Sequence, residues 1–366
     1  MPKPEQNSQN RDDRPRGAQR PHTEPHPRAN APRAPEAVRG EGRLDTAHGT
    51  RGRVRASTSL LSMFYRKPRT ALVLGSGGAR GWAHLGVLQA LRELRFRPDI
   101  VVGTSAGSIA AAAYVTDSVD RLAETARTMD WRQAARLFLE FGFPRTGLIK
   151  GTRVMALLHD IIPTRRIEEL PIPYASVATD YYTQKEVVLS SGDLHDSIRA
   201  SISIPTLFAP FRRDGLWLLD GGLVNPLPVS VARALGADRV VAVDVNLAER
   251  LPPEALECNP EIREPSVADV VSRTLRQAKN LTRKQPRELE FDGKGPSLID
   301  VALRTLRITE NAIQRERMRT DRIDILVQPV VGHINDLEFQ RAAEAIAAGY
   351  EATMALRDRI RGEASE

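Results

Sequence analysis

From residue 70 onward, short apolar runs alternate with stretches whose apolar residues return every three or four positions. "TALVL" (70–74), "DIVVG" (99–103), "YASVATD" (174–180), "KEVVLS" (185–190), "LWLLD" (216–220) and "RVVAVDV" (239–245) have the length and β-branched content of strands. After the first run, Trp82, Leu85, Leu88 and Leu91 recur at the i, i+3 spacing of a buried helical face. After the second comes "SIAAAAYV", whose small residues suit a helix lying close to a sheet. Strand, turn and helix repeat in this order. That repetition predicts an α/β fold, a three-layer α/β/α sandwich with a largely parallel central sheet.

The ends read differently. Residues 1–58 are rich in Pro, Arg, Gly and Ala, and the first aromatic residue is Phe64. Such a segment buries too little apolar surface to offset its ordering entropy, so disorder is expected. Residues 1–70 hold 15 Lys/Arg against 7 Asp/Glu in a chain of net charge +7, so the body itself is close to neutral. The basic balance belongs to the tail, which argues against a nucleic-acid groove on the folded part. "SLLSMFYRKPR" (59–69), apolar and then basic, fits either a membrane-surface contact or a docked linker.

No apolar run is long enough to span a bilayer, and the first residues lack the apolar core of a secretory signal. The expectation is a cytoplasmic protein whose basic tail is either solvated without a partner or in peripheral contact with anionic membrane. Cys258 is the single cysteine, which rules out an intramolecular disulfide and a cysteine-rich metal site.

Two later segments, "VADVVSRTLRQAKN" (267–280) and "LIDVALRTLRITEN" (298–311), match at seven of 14 positions and read as paired packing helices. The expected layout is a tail over 1–66, a folded domain over 67–332 with a helical or loop insertion at about 249–297, and a helical segment over 333–366.

Chemistry concentrates in three places. In "GTSAG", Ser105 lies where a strand turns sharply into a helix, with Gly103 and Gly107 removing side chains that would clash. The turn lifts the hydroxyl out of the sheet at a helix N-terminus, where developing negative charge is favoured. "GSGGARG" (75–81) lacks the dinucleotide fingerprint, because the third glycine position is Arg80, and it has no Walker lysine. Its remaining reading is an oxyanion hole, with the N–H groups of Gly77, Gly78 and their neighbours converging on a carbonyl oxygen beside Ser105.

The proton acceptor has two candidates. In the chain order Ser…Asp…His, a triad of Ser105, Asp220 and His333 is available, with "VVGHIND" as the histidine loop. Alternatively Asp220, which ends an apolar strand and runs into Gly221 and Gly222, acts as the base itself in partly apolar surroundings.

"GSGGARG", "GTSAG" and "DGGLVNPLP", in this order and separation, resemble the patatin-like phospholipase family. "RASISIPTLFAPF" (199–211) and "TGLIKGTR" (146–153) look similar to it as well, and the resemblance covers roughly residues 70–332. It implies a Ser–Asp dyad, with Ser105 as nucleophile and Asp220 as base, and neither metal nor organic cofactor. It also implies an oxyanion hole from Gly77, Gly78 and Arg80 with their neighbours. Plant members have three consecutive glycines where this chain has Ser76-Gly77-Gly78.

The implied reaction is hydrolysis of a lipid or acyl ester. A regulatory or scaffolding protein with vestigial hydrolysis is the alternative, since a fold does not settle a role. Residues 129–151 gather Trp131, Leu137, Phe138, Leu139, Phe141 and Phe143 in a chain poor in aromatics, which suits either a cap over an acyl site or ordinary core.

Overall fold

Four of the apolar runs and one further strand meet side by side in one parallel array, and the remaining strands close it antiparallel. The computed structural model describes residues 67–138, 149–246 and 298–365, all within one unit, Leu61–Glu366. The expected tail, the insertion, the helix at 267–280 and Cys258 lie outside the described residues.

The strands are β1 (Thr70–Leu74), β2 (Ile100–Thr104), β3 (Tyr174–Asp180), β4 (Glu186–Leu189), β5 (Phe211–Arg213), β6 (Leu216–Asp220), β7 (Arg239–Val243) and β8 (Ile325–Val327). Their hydrogen-bonded order is β5-β6-β3-β2-β1-β7-β8, with β4 also paired to β3. β3, β2, β1, β7 and β8 run parallel, while β4, β5 and β6 run antiparallel to their neighbours. The α/β/α sandwich and its largely parallel sheet are as the sequence pattern implied. β5 and β8, three residues each, are too short to leave a pattern.

β1 and β2 are buried on both faces, so they read as continuous apolar runs rather than alternating ones. Their side chains still alternate between two cores. Leu72, Leu74, Val101, Val241 and Val243 face one layer, while Ala71, Val73, Ile100, Val102, Val240 and Ala242 face the other.

The α-helices among the described residues are α1 (Ala83–Glu93), α2 (Ala106–Val115), α3 (Val119–Thr128), α4 (Trp131–Phe138), α5 (Thr152–Ile161), α6 (Leu194–Ser201), α7 (Val229–Ala234), α8 (Leu298–Thr320), α9 (Ala342–Met354) and α10 (Arg357–Ser365). Leu85, Leu88 and Leu91 of α1 are buried as their spacing implied, each worth roughly 1.5–3 kcal/mol, whereas Trp82 is only partly covered.

The segment from residue 333 packs into this layer. A Cβ on Gly86 would sit 1.8 Å from the Ile346 carbonyl oxygen, and one on Gly349 would sit 1.9 Å from that of Ala83. α1 and α9 therefore touch backbone to backbone. No described helix is long and apolar enough to cross a membrane.

Register places the chemistry. β2 meets the first half of β3 and β6 the second half. Thr104 lies opposite Val177, and Asp220 lies opposite Ala178, one position further on. The ends of β2 and β6 thus meet over β3, with Ser105 and Asp220 at the junction.

Candidate active site

Ser105 holds φ 54° and ψ −123°, a backbone conformation that a residue with a side chain occupies only under constraint. The constraint is the tight approach of two turns. A Cβ on Gly103 would lie 2.3 Å from the Gly107 carbonyl oxygen, and one on Gly107 would lie 2.2 Å from that of Leu74. The glycines either side of Ser105 are there for close approach, not for left-handed backbone. The Ser105 N–H donates to Ser201 Oγ at 2.9 Å, and that hydroxyl donates to the Val177 carbonyl at 2.6 Å. Ser105 is 4% exposed.

Ser105 Oγ donates to Asp220 Oδ2 at 2.7 Å with no imidazole between them. Asp220 Oδ1 accepts the Gly222 N–H at 2.8 Å. Its backbone is held as firmly: the N–H donates to Ser203 O at 2.9 Å, and Thr179 Oγ1 donates to its carbonyl at 2.7 Å. Burial raises the Asp220 carboxyl to about 6, while the hydrogen bonds from Ser105 and Gly222 oppose that rise. Among the described residues no cation pairs with it.

"RASISIPTLFAPF" now has a physical account. Ser201 supports Ser105 from beneath, Ser203 receives the Asp220 N–H, and Arg199 ties the segment together through Lys150 O, Ser203 Oγ and Ala209 O. Ser201 and Ser203 carried no sequence signal as individuals, because serines beside a helix end are common.

The glycine loop lies across from Ser105, and Gly78 and Ser105 line one cavity. The N–H groups of Gly77 and Gly78 have no acceptor among the described residues, whereas Ala79 N donates to Asp336 O at 3.0 Å. Arg80, grouped with the donors on resemblance, spends its N–H on Gly77 O at 3.1 Å. Its guanidinium is buried and reaches Asp336 at 2.7 Å, Asn246 Oδ1 at 2.9 Å and Ile334 O at 3.1 Å. Arg80 therefore braces the loop from behind. Gly78 has φ 53°, and a Cβ there would stand 2.8 Å from Asp336 O. His84 Nε2 bonds the Gly75 carbonyl at 2.8 Å, and burial holds its ring near 4, so it is a neutral anchor of the same loop.

His333 does not join the dyad. Its Nε2 pairs with Glu344, and its carbonyl accepts from Arg341. The histidine of the alternative triad is occupied elsewhere because its loop folds onto the start of α9. Instead a glutamate that sequence reasoning passed over comes close. Glu310 of α8 accepts from Ser76 Oγ at 3.2 Å. Burial, with Asp220 and Asp336 nearby, raises its carboxyl to about 8.

Beside Ser105 lies a cavity of about 90 Å³ walled by Trp82, Ile109, Met129, Phe138, Leu157, Phe208 and Phe339. Phe138 packs against Phe339 and Phe208, with ring centres 5.3 and 6.0 Å apart. Of the segment 129–151, read as either a cap or ordinary core, Met129, Leu137 and Phe138 line this cavity, while Leu139, Phe141 and Phe143 lie outside the described residues.

A buried serine hydroxyl on a strained elbow, bonded directly to a carboxylate and sharing an apolar cavity with Gly78, is equipped for acyl transfer. Residues 72–233 match the family model of the patatin-like phospholipases. The matched stretch holds Ser105, Asp220 and the glycine loop; Glu310 lies beyond it.

An uncharacterized NTE family protein of Mycobacterium tuberculosis is 39% identical over 207 residues, 57% of this chain and 55% of its own length. The human patatin-like phospholipase domain-containing protein 6 is 38% identical over 182 residues, 48% of this chain and 13% of its own. The chain thus spans about half the length of the mycobacterial relative and a small part of the human one. Among solved structures, VipD from Legionella pneumophila aligns at 15% identity with a TM-score of 0.41, over 80% of this chain and 67% of that one. A likeness at that level carries no argument.

Proposed function

We propose that the protein is a serine lipid acyl hydrolase working through a Ser105–Asp220 dyad. The observation that carries this reading is the direct 2.7 Å hydrogen bond from Ser105 Oγ to a buried carboxylate that meets no cation among the described residues. Asp220 Oδ2 takes the hydroxyl proton as Oγ bonds the ester carbonyl carbon. The carbonyl oxygen becomes an oxyanion and is held by the N–H groups of Gly77 and Gly78, whose orientation exists before substrate arrives. Asp220 then gives the proton to the leaving alcohol oxygen as the C–O bond breaks, which leaves acyl-Ser105. Water, deprotonated by Asp220, attacks the acyl carbon, and the fatty acid leaves as the serine regains its proton.

Burial matters to this chemistry. A carboxyl held at about 6 is ionised at neutral pH, yet it is a stronger base than an ordinary aspartate. The apolar cavity takes the acyl chain, and the polar part of the ester stays outside. The substrate class is phospholipid, lysophospholipid or another fatty acyl ester, reached by peripheral contact of the basic tail with anionic membrane.

The test is to incubate the protein and its Ser105→Ala variant with phospholipid, lysophospholipid and monoacylglycerol, and to quantify free fatty acid by mass spectrometry. Release by the unaltered protein alone is expected. Equal release by both, or none from any lipid, overturns the proposal.

A further inference from the structure

The helix α8 brings one carboxyl into the active site. Glu310 projects to a point where it touches both halves of the machinery. On one side Ser76, which opens the glycine loop, donates to Glu310 Oε2 at 3.2 Å and accepts from Asn246 Nδ2 at 2.9 Å. Asn246 in turn bonds Arg80, so the brace behind the loop continues through Ser76 to Glu310. On the other side is the turn that carries the base. A Cβ on Gly222 would lie 2.6 Å from Glu310 Oε1 and 3.1 Å from Asp220 Oδ1, so both carboxyls close on the same α-carbon. The Gly222 N–H between them is the donor that orients Asp220.

We propose that Glu310 is a positioning residue of this site, tying Ser76 and the glycine loop to the Gly222–Asp220 turn so that the oxyanion donors and the base keep a fixed separation. The proposal rests on the dyad reading above. Neither the family match, which ends at residue 233, nor the helical pattern of "LIDVALRTLRITEN" assigns this glutamate a role.

The charge state of Glu310 follows from its surroundings. Among the described residues, Asp220 from the base turn and Asp336 from the loop before α9 disfavour its ionised form. Arg80 from the glycine loop favours it, and Arg307 of its own helix is attracted to it. Burial and the two acids win, so Glu310 is raised to about 8 and Asp220 to about 6, and at neutral pH the pair holds one negative charge between them. Above pH 8 a second buried charge stands against the oxyanion that the reaction must form.

The experiment measures kcat and KM for a soluble p-nitrophenyl acyl ester from pH 5 to 10, using the full chain and Glu310→Ala, Glu310→Gln and Asp220→Asn, with melting curves to confirm folding. Glu310→Ala removes the tie, and kcat falls by up to about 10²-fold with KM nearly constant, as expected when donors and base drift apart. Glu310→Gln recovers much of that loss. Its profile keeps the acid limb near 6, because Glu310 is neutral while Asp220 titrates, and it lacks the alkaline limb near 8 seen in the unaltered protein. An alkaline limb that persists in Glu310→Gln overturns the proposal, as does a Glu310→Ala profile identical to the unaltered one. Should Glu310→Ala not fold, the Glu310→Gln profile still decides. An active Asp220→Asn would instead overturn the dyad, whichever way the glutamate variants behave.

Discussion

Asp220, fully buried, and Glu310, partly buried, are two carboxyls flanking one glycine, and they differ in what is bonded to them. Asp220 has a donor on each oxygen, Ser105 Oγ at 2.7 Å and Gly222 N at 2.8 Å, both stabilising its charged form. Glu310 has the longer bond from Ser76 and feels both Asp220 and Asp336. Burial raises both groups; the donors decide which one ionises first. In the proposed site the two acids thereby take different roles, one a base at neutral pH and the other a neutral tie.

The strongest way to break this comparison is Asp220→Asn. Ester hydrolysis should fall by about 10²–10⁴-fold, the usual worth of a general base. Stability moves the other way. Asp220 is raised from 3.8 to about 6 in the folded protein, so the native state binds its proton more tightly than the unfolded chain does. Stability therefore falls as pH rises from about 4 to about 6 and stays reduced above that, by on the order of 2–3 kcal/mol. Asp220→Asn should melt higher than the unaltered protein at pH 8, with the difference vanishing near pH 4. A variant that melts lower at pH 8 contradicts an uncompensated buried charge.

Adjacent glycines sharpen the same point. A Cβ on Gly221 would meet backbone, the Val177 carbonyl oxygen at 2.2 Å, whereas on Gly222 it meets the ends of two side chains. Gly221→Ala should cost the fold about 1–3 kcal/mol, read as a lowered melting midpoint. Gly222→Ala should largely spare the fold and displace the two carboxyls, lowering kcat by about tenfold, within the range for a misplaced catalytic group. Equal melting losses for the two would place Gly222 among structural glycines.

The smallest effect belongs to His333. Its contacts are Glu344 and Arg341 near the surface, and it is a third exposed. His333→Ala should change kcat by less than about twofold and stability by no more than about 0.5 kcal/mol. A dead His333→Ala would restore the triad.

Much of this site was legible because its chemistry is local. "GTSAG" between a strand and a helix points to Ser105, and an aspartate ending "LWLLD" ahead of two glycines points to Asp220. "GSGGARG" identified the loop but not which N–H groups are free, since whether Arg80 N faces a substrate or closes a turn depends on the bond to Gly77 O. Choosing between Asp220 alone and a triad required knowing where "VVGHIND" folds. Glu310 carried no signal at all. On an amphipathic helix a glutamate usually marks the solvated face, and its burial is decided by what α8 packs against.

The sequence by itself determined six of the eight strands, the helices that follow several of them and the sharp serine turn. Apolar runs, helical spacing and glycine placement act over a few residues, and they mean the same thing wherever the segment ends up. Tertiary structure alone decided that β2 and β6 end side by side on β3, that Glu344 occupies His333, and that Glu310 meets Ser76 from 234 residues away. Those outcomes depend on which groups share a buried volume, and burial together with charge proximity is what sets a carboxyl's protonation.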